Sequence, residues 1–294
     1  MVIAGLPITA MMHNSIRRLE YLCQESIPGN GRENDLPVGT LHHHVYHSAF
    51  ASDDRDYLVY TPSGYDSQAE RLYPVLYLLH GYSDTADAWT IKGHANLILD
   101  SLIAKGKAEP MIVVMPLCYR TPEVRALGWT GLRDPHLGQI TFKEFGRILV
   151  DEVVPAVEKD YRAATDRELR AIAGLSLGGA ESLYIGLNAL DRFAWVGAFS
   201  TVGLVGDYNE AFPGFDDRAN SRLGLLWISC GKQDPFFLLS KRLRDWLQAK
   251  RVRFKWVDMS GAHTWQVWKQ NFSEFAPLLF QRGENPVRDF ANAD

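Results

Sequence analysis

Ser176 stands in Gly174-Leu175-Ser176-Leu177-Gly178-Gly179, between the apolar run Leu169 to Ala173 and the segment Ala180-Glu181-Ser182-Leu183-Tyr184. That pattern places the serine where a strand turns sharply into a helix, the position of a nucleophilic serine. Such a turn forces strained backbone on the serine, and side chains two positions to either side would collide with the neighbouring strand and helix. The hydroxyl is then pushed into solvent at a helix N-terminus. Free amides and the helix dipole there favour the negative charge that an acyl-transfer intermediate develops on its oxygen. The same string also fits an ordinary glycine-rich turn, so its partners must carry the chemistry.

A serine hydroxyl is a poor nucleophile at neutral pH. A histidine must take its proton, and a carboxylate must hold that imidazole in the right tautomer and stabilise its cation. His263 is the only histidine after Ser176, and it lies in Ser260-Gly261-Ala262-His263-Thr264-Trp265, just past a strand ending at Asp258. For the acid, Asp234 in the tight loop Gly231-Lys232-Gln233-Asp234-Pro235 follows the strand Gly224 to Cys230. An aspartate before proline also serves as a turn or cap residue. Asp258 is the rival, and Asp216 and Asp217 sit in an irregular excursion. Two backbone amides are needed for the oxyanion: that of Leu177, and that of Tyr82 in Leu78-Leu79-His80-Gly81-Tyr82-Ser83. His80, inside the apolar strand end, braces this loop rather than moving protons.

These groups must be positioned by a regular scaffold. Strands are expected at Tyr57 to Thr61, Tyr73 to Leu79, Met111 to Met115, Leu169 to Ala173, Phe193 to Phe199, Gly224 to Cys230 and Val252 to Asp258. Amphipathic helical stretches fall between them, at about Ala86 to Lys105, Phe142 to Tyr161, Leu177 to Leu190, Phe236 to Lys250 and Thr264 to Gln281. Strands alternating with helices imply an α/β fold with a mostly parallel sheet covered on both faces. Active groups then collect on loops leaving the carboxyl ends of the strands. Residues 24 to 39 have linker chemistry, which sets residues 1–35 apart as an N-terminal extension and 36–294 as the catalytic domain. Ile16 to Cys23 fits a short helix. His42, His43, His44 and His47 read as a solvated edge strand rather than a metal site, because neighbours alternate between faces and no carboxylate or cysteine stands at ligand spacing.

The 294 residues are 46% hydrophobic and carry a net charge of −4. One elaborated domain fits that length, and the charge argues against nucleic-acid binding, which needs a basic stripe. Cys23, Cys118 and Cys230 are odd in number and widely spaced, so neither a disulfide framework nor a metal site is indicated. No apolar run approaches the ~20 residues that span a bilayer, so a soluble protein with no membrane partner is expected. Met1 to Met12 is a poor signal peptide, containing Pro7 and lacking a leading basic residue. The default compartment is therefore the cytoplasm. The quaternary state is not readable, and no metal or organic cofactor is called for.

Together, Tyr73 to Gly81, Pro110 to Pro116, Gly174 to Gly179, Gly231 to Phe236 and Gly261 to Trp268 resemble the esterase family of α/β-hydrolases. This family includes the feruloyl and acetyl xylan esterases of carbohydrate esterase family 1, with enterochelin esterases, S-formylglutathione hydrolases and mycolyltransferases as relatives. The resemblance covers about Gly39 to Gln281 and implies an α/β-hydrolase fold, with Ser176, Asp234 and His263 as nucleophile, acid and base. It also implies Tyr82 and Leu177 as oxyanion donors, secretion as an alternative to the cytoplasm, and a small or polysaccharide-linked ester as substrate. Asp234 to Phe236 and His263 to Trp265 most resemble the feruloyl-esterase branch. Leu177 stands where many relatives carry methionine, and the N-terminal extension has no counterpart. Trp129, Tyr208, Phe212, Phe215 and Trp265, with the Gly131 to Ile140 loop, are candidates for the substrate pocket; plain loop packing accounts for them equally. Acetyl xylan or broad short-chain ester hydrolysis, acyl transfer to a sugar, and a silent carbohydrate-binding module are the alternatives.

Overall fold

The computed structural model describes residues 19–21, 36–118 and 135–281. The described residues form a nine-stranded sheet in the order β1-β2-β3-β5-β4-β6-β7-β8-β9. Three antiparallel strands, β1 (Leu19–Tyr21), β2 (Thr40–Ser48) and β3 (Asp53–Thr61), lead to β5 (Ile112–Pro116). From there β4 (Val75–Leu79), β6 (Arg170–Leu175), β7 (Trp195–Phe199), β8 (Leu225–Gly231) and β9 (Lys255–Met259) run parallel. Every residue of β4 to β8 is buried, as continuous apolar runs require when helices cover both faces.

Side-chain alternation divides the core in two. Val75, Tyr77, Leu79, Ile112, Val114 and Ile172 point to one face, against α3 (Pro135–Ile148), α4 (Val154–Asp160), α5 (Leu177–Asn188) and α7 (Phe237–Ala249). Leu76, Leu78, Val113, Met115, Ala171 and Ala173 point to the other, against α1 (Ala88–Ile91), α2 (Ala95–Ala104) and α8 (Trp265–Phe275). Each fully buried large side chain stabilises the fold by roughly 1.5–3 kcal/mol. This is the expected α/β-hydrolase layering. A short α6 (Tyr208–Ala211) interrupts the excursion between β7 and β8.

Several expectations are corrected. The helix at Ala86 to Lys105 is two helices, broken at Gly93-His94, where His94 takes a left-handed φ of 52°. The helix placed at Phe142 begins earlier, at Pro135, and contains a π-turn over Leu149–Val153; thus part of the supposed Gly131 to Ile140 loop is helical. Within the segment given as a helix at Ile16 to Cys23, Leu19–Tyr21 is a strand, because the open edge of β2 offers backbone partners that an extended chain satisfies. β2 is therefore not an edge strand, and it is only partly solvated. His42 is buried and hydrogen-bonds Thr61 at 3.2 Å, while His44 stacks on Tyr57 and reaches the Tyr161 hydroxyl at 2.6 Å. Among the described residues no helix is long and apolar enough to cross a membrane.

Candidate active site

β6 ends at Leu175, and Ser176 follows with φ 55° and ψ −116°, a conformation that residues other than glycine rarely adopt. Hydrogen bonds hold it there. The Ser176 amide donates to the Phe199 carbonyl of β7 at 2.8 Å, and its own carbonyl accepts from Val202 at 3.1 Å and Ala180 at 3.2 Å. The flanking glycines are dictated by close approach: a Cβ on Gly174 would lie 2.5 Å from the Gly178 carbonyl carbon, and one on Gly178 would lie 2.3 Å from the His80 carbonyl oxygen. The strand and helix can therefore meet only as bare backbone.

His263 and Asp234 arrive on loops after β9 and β8. His263 Nε2 lies 2.9 Å from Ser176 Oγ, and His263 Nδ1 lies 2.8 Å from Asp234 Oδ2. The carboxylate accepts, which fixes the imidazole proton on Nδ1 and leaves Nε2 as the acceptor facing the hydroxyl. The Asp234 side chain is fully enclosed, whereas the His263 side chain keeps 18% of its surface open, so the imidazole meets solvent and the carboxylate does not. Burial alone would push the Asp234 carboxyl up. Hydrogen bonds from His263 and from the Phe236 amide, which reaches Oδ1 at 2.8 Å, outweigh it and hold the carboxyl below its ordinary value. Asp234 is thus both the turn residue and the imidazole's partner.

The two loops are tied to each other. Lys232 donates to Met259 at 2.8 Å, Gln233 to the Gly261 carbonyl at 3.0 Å, and the Gly261 amide returns a bond to Gln233 Oε1 at 2.5 Å. Phe236 and Trp268 pack edge-on against the imidazole, with centroids at 5.1 and 4.9 Å. No contact with the imidazole was read for either from sequence, although Phe236 closes the Asp234 to Phe236 run and Trp268 lies five residues after His263. The rival Asp258 is exposed and pairs with Lys232 at 3.6 Å.

The loop after β4 closes the other side. A Cβ on Gly81 would stand 3.4 Å from Ser176 Cβ, which brings the Gly81-Tyr82 backbone beside the serine. Leu177 begins α5 directly after the serine. His80 beneath them is buried; its Nδ1 donates to the Gly81 carbonyl at 2.8 Å and its Nε2 accepts from the Cys118 amide at 3.0 Å. Burial lowers its pKa to about 4, so it stays neutral and braces the loop.

The aromatic candidates divide differently. Tyr208, Phe212 and Phe215 are buried around Trp246 of α7, with centroids 5.4, 5.6 and 5.8 Å away. They form packing rather than an open wall, because the excursion folds its rings onto a helix instead of over the serine. Trp265 is half-buried, edge-on to Trp89 and Trp268 at 5.2 and 5.4 Å. Trp129 lies outside the described residues. Among those residues no cluster of metal-ligating side chains occurs.

Strand order, the strained serine at the β6–α5 turn and the Ser-His-Asp contact define an α/β-hydrolase fold with one convergent polar site. The chain belongs to the Putative esterase family, whose model matches residues 48–279. It is 31% identical over 228 residues to an endo-1,4-beta-xylanase/feruloyl esterase of Xylanibacter ruminicola, covering 76% of this chain and 29% of that protein. It is 29% identical over 161 residues to endo-1,4-beta-xylanase Y of Acetivibrio thermocellus, covering 51% of this chain and 13% of that one. The chain thus spans less than a third of the length of these curated relatives. Among solved structures, a CE1 ferulic acid esterase from Anaeromyces mucronatus in complex with ferulic acid superposes with a TM-score of 0.72 at 25% identity, covering 85% of this chain and 94% of that one.

Proposed function

We propose that this chain is a serine carboxylic ester hydrolase of the feruloyl esterase kind, working through an acyl-enzyme on Ser176. The observation that carries it is the continuous relay from Ser176 Oγ through His263 to Asp234, at 2.9 and 2.8 Å. His263 Nε2 takes the serine proton as Oγ attacks the ester carbonyl. The resulting oxyanion is received by the amides of Leu177 and Tyr82. As the tetrahedral intermediate collapses, the bond to the alcohol oxygen breaks and the imidazolium returns its proton to that oxygen. Water then attacks the acyl-enzyme by the same route, with His263 as base, releasing the acid and restoring Ser176. Asp234 holds the imidazole tautomer and stabilises its cation throughout. No step uses a metal or organic cofactor.

The acyl group assigned is a hydroxycinnamate such as ferulate, esterified to a small alcohol or a plant polysaccharide. The names of the Xylanibacter relative and of the ferulic acid complex support that choice. We assign catalysis to residues 36–294 and treat 1–35 as an extension, of which β1 joins the sheet edge. Ser176→Ala should lower turnover of p-nitrophenyl acetate by about six orders of magnitude if the three groups act as a unit. Near-normal hydrolysis by that variant would remove the assignment. Comparing methyl ferulate, acetylated xylan, short p-nitrophenyl esters and S-formylglutathione tests the acyl group: the highest kcat/KM should fall on methyl ferulate.

A further inference from the structure

At the end of β4 opposite the catalytic serine, the turn after β3, the end of α4 and the inner side of β2 enclose a cleft of about 650 Å³. That size is within the ~300–1,000 Å³ of small-ligand sites. The chain leaving α4 pairs with the chain entering β4: the Tyr73 amide donates to the Arg162 carbonyl at 2.8 Å, and the Ala164 amide to the Tyr73 carbonyl at 2.8 Å. Gly81, past the other end of β4, is the residue that approaches Ser176. Cleft and serine are therefore separated by the length of a strand and its flanks, roughly 20 Å. A ligand held here touches none of the reacting atoms.

The walls are aromatic and already ordered. Tyr65 is half-buried, with the Arg162 guanidinium 3.8 Å from its ring centroid, and its hydroxyl accepts from the Arg162 amide at 2.8 Å. The same guanidinium donates to the Tyr65 carbonyl. Tyr161 is held through its hydroxyl by His44 Nε2 at 2.6 Å, and His44 in turn stacks on Tyr57 with centroids 4.8 Å apart. Rings fixed in advance lose little freedom when a ligand arrives.

The rim is charged and balanced. Asp66, Lys159 and Asp160 line it and are exposed, and Asp66 and Lys159 make no side-chain hydrogen bond or ion pair among the described residues. Asp66 and Asp160 offset Lys159 and Arg162, so the cleft favours neither an anion nor a cation. Among the described residues none that lines it is aliphatic, which leaves no pocket for an apolar peptide anchor or an acyl chain. A neutral sugar matches this surface. Its C–H groups pack on electron-rich rings, while its hydroxyls donate to carboxylates and accept from ammonium and guanidinium groups.

We propose that this cleft is a second, non-catalytic site that binds a neutral oligosaccharide and so holds a polysaccharide-linked ester to the protein. Tyr65 and Tyr161 supply the ring surface, and Asp66 and Lys159 the hydrogen bonds. Binding at this site does not depend on the esterase reading; only its effect on ester turnover rests on it.

Xylohexaose, an unesterified neutral pyranose chain, is titrated calorimetrically into the wild-type protein and into Asp66→Ala, Lys159→Ala and the double variant. These side chains are exposed, so the variants should keep the fold, which thermal unfolding verifies. Saturable binding by the wild type should weaken about fivefold in each single variant, one lost hydrogen bond apiece, and more than tenfold in the double. Inorganic phosphate should not displace the sugar. On feruloylated arabinoxylan the double variant should raise KM at least fivefold with kcat unchanged, while kcat/KM for methyl ferulate stays at the wild-type level. Absence of saturable xylohexaose binding overturns the proposal, as does binding that the double variant leaves intact, since the sugar then sits elsewhere. Displacement by phosphate overturns the neutral-ligand assignment, and a wild-type KM on arabinoxylan overturns the role in holding substrate. The esterase reading fails separately: a protein that binds xylohexaose through Asp66 and Lys159 yet hydrolyses no ester keeps this site and loses the triad.

Discussion

In the proposed mechanism Asp234 serves folding and chemistry at once. One oxygen closes the turn onto the Phe236 amide and the other holds His263, at 2.8 Å each. Asp234→Asn keeps the shape but lets the imidazole adopt the wrong tautomer, so kcat should fall about 10⁴-fold with little change in KM. The lowered carboxyl pKa also carries a stability signature. Its stabilising contribution is fully present above the ordinary carboxylate value of about 3.9 and is lost as pH falls through the lower native value. Thermal unfolding of wild type and Asp234→Asn should therefore differ at pH 6 and converge at strongly acid pH. Ser176, Asp234 and His263 were legible in the sequence because each occupies a loop just past a strand. Phe236 and Trp268 were not, since an edge-on ring contact depends on rotamers that no spacing encodes.

The β6–α5 turn is where sequence and packing agree most closely. Gly178 meets the His80 carbonyl at a distance that admits no Cβ, and because the obstacle is backbone, no rotamer change can relieve it. Gly178→Ala should cost about 3 kcal/mol or more and disturb the loop carrying Tyr82. A lower urea midpoint together with reduced kcat would show both effects; unchanged values would mean that the strand and helix separate freely. The parallel strands lay within a few residues of their expected ranges because their apolar runs are strong, whereas the helix bounds shifted further. The elements misjudged were those whose local pattern was overruled. The π-turn at Leu149–Val153 sits in a continuous helical pattern, and the strand Leu19–Tyr21 depends on an open partner edge rather than on its own sequence.

Across the whole molecule, the loop proposed to receive the oxyanion is built on a buried neutral histidine, which links the site to acid stability. His80 has a native pKa of about 4 against about 6.5 when unfolded. Between those values the unfolded chain binds a proton that the folded one refuses. The contribution is therefore complete above about pH 6.5 and lost as pH falls toward 4, by up to about 3 kcal/mol. His80→Gln should be less stable than wild type at pH 7.5 yet lose less stability on acidification; parallel decline of the two urea midpoints would contradict this. Burial also holds the Glu181 carboxyl on α5 well above its ordinary value.

The sequence by itself determined the alternation of strands and helices, the serine turn and His263 as the one histidine that follows it. These follow from local rules: apolar periodicity, glycine where backbones touch, and polar residues just beyond strand ends. Only the tertiary structure decided that Asp234 rather than Asp258 faces the imidazole, and that the rings of the Tyr208 to Phe215 excursion turn inward onto Trp246. Each of these depends on which loops converge at the rim of the sheet, and that convergence is set by long-range packing of both cores rather than by neighbours along the chain.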